Sequence, residues 1–144
     1  MTDSRTEPSA STTGLTRDAG WELGVRRTAA VPPETAWDHL VGRGGPTWLG
    51  VTPVPTAVGA GYRAADGTTG RIRSCSPGRR IRLTWRPAGW THDSVLQLTV
   101  LPAAGGATIA LHQEHLADAG ERNELLAHWT TVVEGLVAEL QQSV

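Results

Sequence analysis

The sequence feature that most constrains the fold is a long amphipathic segment near the carboxyl end, from residue 118 to residue 141. At 100° per residue, six apolar side chains fall within about 60° of Trp129 on a helical projection. These are Leu125, Leu126, Val132, Val133, Leu136 and Leu140. Asp118, followed three residues later by Glu121, is typical of a helix N-cap with its capping-box partner. The segment therefore predicts a C-terminal helix whose apolar stripe must cover another element.

Length and charge narrow the class of protein. The chain has 144 residues, a formal net charge of -1 and the single cysteine Cys75. This length predicts one domain, and one cysteine is compatible with a reducing compartment. The small net charge gives no general attraction to nucleic acid or to an anionic membrane, and no run approaches the roughly 18 apolar residues of a membrane span. We therefore expect a soluble, cytoplasmic protein that binds neither nucleic acid nor membrane.

The part of the chain before the helix divides into a leader and short elements. Residues 1–17 are polar and lack periodicity, which predicts a disordered leader before a single domain at residues 18–144. A first strand starts at Trp21, and an irregular strand is expected near residues 51–54. Short helices are predicted at 33–40 and near 46–49, and further strands at 62–65, 69–75, 80–86, 94–101 and 107–115. Because the connections between these later strands are short, neighbouring strands should be antiparallel.

Alternation within the strands assigns the two faces of the predicted sheet. Ile81, Leu83 and Trp85 share one face, which is apolar and should receive the C-terminal helix. The opposite face carries a basic stripe formed by Arg71, Arg73, Arg80, Arg82 and Arg86. That stripe is either a solvated surface or a contact for an acidic protein partner. The fold class is thus α+β, with a curved antiparallel sheet around one long helix and a tunnel between them.

Several segments, taken in order, carry a family resemblance. They are the strand at 21–27 leading into Val31-Pro32-Pro33-Glu34-Thr35-Ala36-Trp37, then Val58-Gly59-Ala60-Gly61-Tyr62 after Trp48, Arg80-Ile81-Arg82-Leu83-Thr84-Trp85, Thr108-Ile109-Ala110-Leu111-His112 and the helix with His128-Trp129. With these segments the chain resembles the START-like helix-grip superfamily (SRPBCC), most closely the branch similar to the activator of heat-shock-protein ATPase, which implies a stress-response setting. The resemblance implies a cavity that in relatives holds lipids, polyketides, hormones or other apolar molecules, and it transfers no catalytic residue.

Residues that line the predicted cavity come from both the sheet and the helices. The candidates are Trp37, Trp48, Tyr62, Trp85, Leu98, Leu111, His115, Arg122, Leu125, Trp129 and Val133. The aromatic members are either core fillers or open faces on which a planar ligand stacks. No cofactor is predicted. His112 and His115 have an odd offset on a strand, which sends their imidazoles to opposite faces, so a metal site is not predicted either.

Two polar residues in this set are candidates for binding or reacting with a ligand in the predicted cavity. Arg122 lies on the inner stripe of the helix, where it anchors a carboxylate or enolate oxygen, pairs with a carboxylate of the sheet, or extends past the helix end to water. His115 is in phase with Ile109 and Leu111, which predicts a side chain facing the cavity as a polar lining, a general acid or base, or a core histidine.

These observations support one leading function and two alternatives. The leading hypothesis is binding of a small apolar or aromatic ligand between sheet and helix, with no catalysis or at most weak catalysis, since phosphate loops, nucleophile elbows and zinc-protease motifs are absent from the sequence. One alternative is a polyketide cyclase or hydratase-like enzyme that uses His115 and Arg122. The other is a chaperone-linked or regulatory interaction module that uses the Arg stripe.

Overall fold

The computed structural model describes residues 12–17 and 20–142. Its seven strands form one antiparallel sheet in the order β1-β2-β7-β6-β5-β4-β3. The strands are β1 (Leu15–Thr16), β2 (Gly20–Ala29), β3 (Gly61–Arg63), β4 (Thr69–Ser76), β5 (Arg80–Trp85), β6 (Ser94–Ala103) and β7 (Gly106–Leu116). The helices are α1 (Pro33–Val41), α2 (Gly45–Trp48) and α3 (Ala119–Gln142). The predicted α+β class, with a curved antiparallel sheet gripping a long C-terminal helix, is confirmed.

The sheet buries one face beneath α3, which packs across β2 and β7 and also contacts α1 and α2. The apolar stripe of the helix supplies Trp129, Val132, Val133, Leu136 and Leu140 to the buried core. Leu125 and Leu126, at the start of the stripe, are only half-buried. The helix is thus covered by the sheet along its middle and its C-terminal half, and it is more open near its N-terminus. No helix in the described part of the chain combines the length and the apolar character needed to cross a membrane.

Two expectations about the outlying segments are corrected. The irregular strand expected near residues 51–54 is absent from the described structure, where this segment is an irregular connection. The Val54 amide donates to the Val41 carbonyl at 2.8 Å and anchors the connection to the end of α1. The prolines at positions 53 and 55 lack the amide hydrogens that a strand ladder requires. In the segment expected to be a disordered leader, residues 1–11 lie outside the described residues, but Leu15–Thr16 pair with β2.

The N-terminus of α3 is closed by the predicted capping residues. The Glu121 amide donates to Asp118 Oδ1 at 2.8 Å, and Glu121 Oε1 accepts from the Ala117 amide at 2.9 Å. The second bond reaches one residue further back than in the usual capping box, in which the N3 carboxylate accepts from the N-cap amide. Two backbone amides at the entrance of the helix are thereby satisfied.

We expect Asp118→Ala to lower the free energy of unfolding by about 1 kcal/mol, because the Glu121 amide loses its acceptor at the helix start. Asp118→Asn keeps an acceptor oxygen and should recover most of that loss. Urea denaturation followed by circular dichroism measures both variants. Equal losses for alanine and asparagine would mean that the carboxylate charge, rather than the cap hydrogen bond, stabilises the helix.

Candidate ligand-binding site

Most of the residues predicted to line a tunnel lie in the packed core. Leu98, Leu111, Trp129 and Val133 are each at most 1% exposed and belong to one apolar cluster. Trp37 on α1 and Trp48 on α2 are buried in the same cluster, and the Trp48 indole donates to the Leu40 carbonyl at 2.8 Å. Beneath the middle of α3, these side chains occupy the space between helix and sheet.

A chain of buried polar groups runs through this core from the helix to the sheet. Trp129 Nε1 donates to Gln113 Oε1 at 2.7 Å, and Gln113 Nε2 donates to Ser94 Oγ at 2.9 Å. Ser94 Oγ in turn donates to the Trp85 carbonyl at 2.7 Å. Each of the three side chains is fully buried, so this chain fixes the register of α3 against β7, β6 and β5.

An open pocket of about 500 Å³ lies where the N-terminal turns of α3 meet the end of β5. We call it the Trp pocket; its lining residues are Trp85, Pro87, Trp90, Asp118, Gly120, Glu121, Glu124 and Leu125. Of the predicted cavity residues, Trp85 and Leu125 meet here, and Trp129 lies directly behind Trp85, with ring centroids 5.3 Å apart. The structure thus has an open pocket at one end of the helix–sheet interface.

The apolar wall of the Trp pocket is built from two perpendicular indoles. The centroids of Trp85 and Trp90 are 5.5 Å apart with an interplanar angle of 90°. Trp90 stacks at 4.4 Å on His92, whose Nε2 lies 3.1 Å from Glu121 Oε1 on the helix. Because Glu121 also caps the helix, the wall and the helix end are held by one connected set of contacts. This arrangement fixes the position of the loop indole.

The two polar residues predicted for the cavity lie elsewhere. Arg122 Nε donates to the Glu22 carbonyl at 2.6 Å, so its guanidinium is bound to the backbone of β2, next to Gly14. His115 is exposed and has a φ of 65°, so the prediction that it faces the cavity is wrong. The cause is an irregularity in the pairing of β2 with β7: two β7 residues lie between the partners of Trp21 and Leu23, which flank a single β2 residue.

Two consequences follow for the chemistry of the described residues. Because the bulge shifts the alternation of β7, Leu116 is buried in place of His115. Neither His115 nor Arg122 lines the Trp pocket, so this pocket does not contain the pair that the enzymatic alternative requires. Within residues 12–17 and 20–142, no cluster of three or more His, Cys, Asp or Glu side chains is arranged to hold a metal ion.

Tyr62 belongs to a different part of the molecule. Its hydroxyl donates to the Thr84 carbonyl at 2.7 Å, and the ring lies against Gly70 on the neighbouring strand. Burial, with a smaller contribution from the negative charge of Asp93, raises the pKa of the Tyr62 phenol far above its usual range. The side chain is therefore a neutral structural donor, and it borders a groove on the outside of β3, β4 and β5.

Sequence reasoning missed most of the residues that complete the Trp pocket. Trp90 lies in the loop after β5, and its place directly after Pro87-Ala88-Gly89 is the signal that could have identified it, because a Trp in a Gly-containing turn needs a surface to cover. His92 and Glu121 gave no comparable signal, since their contact joins positions 29 residues apart. Gln113 was detectable as a polar residue in phase with Ile109 and Leu111.

Comparisons with known proteins give similarity in fold. No protein-family profile and no curated protein matches this chain. Among solved structures, protein CV1439 from Chromobacterium violaceum is 27% identical, with a TM-score of 0.68 over 83% of this chain and 96% of that protein. CalU16 from Micromonospora echinospora is 18% identical, with a TM-score of 0.71 over 94% of this chain and 80% of its own.

Two further structures carry names that mention a biological setting. DynU16, described as a protein of the dynemicin biosynthetic locus, is 20% identical with a TM-score of 0.75 over 85% of this chain. This chain spans 48% of DynU16, about half its length. An HSP90 activator from Plasmodium falciparum is 14% identical with a TM-score of 0.62, and the match covers 76% of this chain and 88% of that one.

Proposed function

We propose that this chain, which has the START-like helix-grip (SRPBCC) fold of these neighbours, binds a small hydrophobic ligand with an aromatic ring in the Trp pocket. The observation that carries the proposal is the perpendicular pair Trp85 and Trp90 beside Leu125 at the open end of the helix–sheet interface. A pocket of about 500 Å³ lies within the range that small-molecule sites occupy. The half-buried Trp90 indole offers a face on which a flat ring can stack, and the edge-on, buried Trp85 closes the pocket beside it.

The polar residues around the pocket suit a ligand whose apolar part contacts the indoles and whose outer end contacts water. Asp118 and Glu121 are already engaged as acceptors for backbone amides at the start of α3. Glu124 is exposed and lies at the rim. The indoles therefore contribute affinity, while the carboxylates mark the side that faces water.

The names of the structural neighbours mention two different biological roles, and the proteins with these roles share the same fold. One is a protein of a biosynthetic locus for a natural product, and another is a chaperone activator. A natural-product setting agrees with an aromatic ligand in the Trp pocket. A chaperone setting would place the function on the outer surface instead, and a partner at the Arg stripe stays a prediction.

Isothermal titration calorimetry with a panel of polycyclic aromatic compounds, sterols and fatty acids tests the proposal. We expect saturable binding of at least one aromatic compound, and Trp90→Ala should weaken it by about tenfold or more, because one stacking surface is removed. Trp21→Phe, a half-buried indole outside the pocket, is the matched control and should leave the affinity unchanged.

Two results would contradict this function. The first is the absence of binding across the panel by a protein whose unfolding transition shows that it is folded. The second is an aromatic ligand whose affinity is the same in the parent protein and in Trp90→Ala, which would place the ligand elsewhere.

A further inference from the structure

A second cavity lies on the opposite side of the sheet from α3 and has a different chemical character. It is an open groove of about 700 Å³ over β3, β4 and β5. Its charged lining consists of four guanidinium groups and one carboxylate: Arg63, Arg71, Arg73, Arg86 and Asp93. We call it the Arg groove. The chain as a whole has a formal net charge of -1, so this concentration of cations is local.

Strand register explains how the guanidinium groups come together. Thr69 on β4 pairs with Arg63 on one side and with Arg86 on the other, which places two arginines around one small residue on the same face. Arg71 follows two residues later on that face, between Gly61 and Thr84. The positions between the arginines are therefore small, and they leave an open floor beneath long cationic side chains.

The arginines of the groove are incompletely neutralised by the protein. Arg71 donates to the Gly59 carbonyl at 3.1 Å, and Arg86 donates to the Trp90 carbonyl and lies 3.6 Å from Asp93. Arg82, outside the groove, is in contrast bound to both Glu114 and Gln97.

Arg63 and Arg73 have no carboxylate partner within 4 Å among the residues that the structure describes. Like charges held close together on neighbouring strands repel one another. An anion in the groove would convert this repulsion into attraction. The unneutralised cations are thus the observation that points to a ligand.

We propose that the Arg groove binds a small multivalent oxyanion, either a phosphate ester or a polycarboxylate. Guanidinium groups bind the paired oxygens of both classes through parallel N–H donors. The groove is short, and its one carboxylate, Asp93, would repel a longer anionic chain. Tyr62, the aromatic residue of the groove, is only 8% exposed, so it offers no open face for stacking a nucleic-acid base.

Calorimetric titration of the full chain with sodium pyrophosphate and with citrate, at low ionic strength, tests this site. Arg63→Gln and Arg71→Gln should each weaken binding of the preferred anion by about tenfold, because each removes a charged donor. Arg80→Gln changes the net charge equally but lies outside the groove, so its affinity should equal that of the parent protein. The preference between pyrophosphate and citrate identifies which of the two anion classes the groove takes.

Thermal unfolding of each variant establishes that it is folded before its affinity is compared. Equal weakening in Arg80→Gln would overturn the proposal, since attraction would then follow net charge alone. Binding of neither anion, or tighter binding of a single-stranded oligonucleotide with the same arginine dependence, would overturn it too. Leu125→Ala alters the Trp pocket but no residue of the groove and should leave anion binding intact, so this site and the Trp pocket stand or fail separately.

Discussion

Trp129→Ala is expected to lower the free energy of unfolding by about 5 kcal/mol, the largest loss we predict for a single substitution. The Trp129 side chain is completely buried between α3 and the sheet, so its removal leaves a large apolar cavity that costs about 3–5 kcal/mol. Gln113 Oε1 also loses its donor, and an unpaired buried acceptor costs about 1–3 kcal/mol more. Urea denaturation followed by circular dichroism measures the loss.

Two further variants separate the cavity from the hydrogen bond. Trp129→Phe keeps most of the ring volume but orphans Gln113 Oε1, so we expect an intermediate loss. Adding Gln113→Leu to Trp129→Phe removes the orphaned group, while Ser94 keeps its acceptor at the Trp85 carbonyl. The double variant should therefore be more stable than Trp129→Phe alone. The opposite order would show that the amide of Gln113 stabilises the core by itself.

Local patterns in the sequence were sufficient to predict the three helices and the strands from β2 to β7. The stripe around Trp129 and the Asp118 cap belong to one segment, and they predicted α3 nearly to its observed ends. The strands from β3 to β7 are joined by short turns, so their antiparallel order followed from the chain itself. Such features need no knowledge of distant contacts. The same local alternation correctly separated the apolar face of β5 from its arginines.

The candidate site was harder to predict from the sequence, because it depends on strand register and on contacts between distant segments. His115 was assigned to the inner face by extending the alternation of β7, but one extra residue in the strand reverses that assignment. Leu98 and Val133 were expected beside a tunnel, whereas the size of the indole at position 129 lets them pack into a continuous core. Alternation indicates which side chains point inward but does not give the volume that they fill.

The two pockets, on opposite sides of the sheet, also depend on contacts that the sequence pattern does not predict. Trp90 reaches the helix only because His92 and Glu121 meet across the end of the domain. Arg63 was not recognised as part of the basic surface, because its place beside Thr69 is set by the pairing of β3 with β4. Both pockets are assembled from a strand and a segment outside that strand, and sequence spacing carries no information about such pairs.

Gly70→Ala is expected to lower the free energy of unfolding by about 3 kcal/mol. A Cβ at Gly70 would lie 1.9 Å from the Thr84 carbonyl oxygen and 2.6 Å from the Tyr62 hydroxyl. The first of these atoms belongs to the backbone of β5 and cannot rotate away, so β4 must shift, at a typical overpacking cost of about 1–3 kcal/mol. The shift also breaks the hydrogen bond from Tyr62 to Thr84, worth about 1 kcal/mol. Urea denaturation measures the total.

Gly61→Ala is the matched control for this close approach, because Gly61 lies on the adjacent strand and its added Cβ would come no nearer than 3.6 Å to the Gly70 carbonyl oxygen. That distance is an ordinary contact, so Gly61→Ala should change the stability by less than about 0.5 kcal/mol. Tyr62→Phe removes only the hydroxyl and should cost about 1 kcal/mol. If Gly70→Ala costs no more than Tyr62→Phe, β4 accommodates the methyl group without the strand shift proposed above, and the close approach of β4 to β5 does not require a glycine.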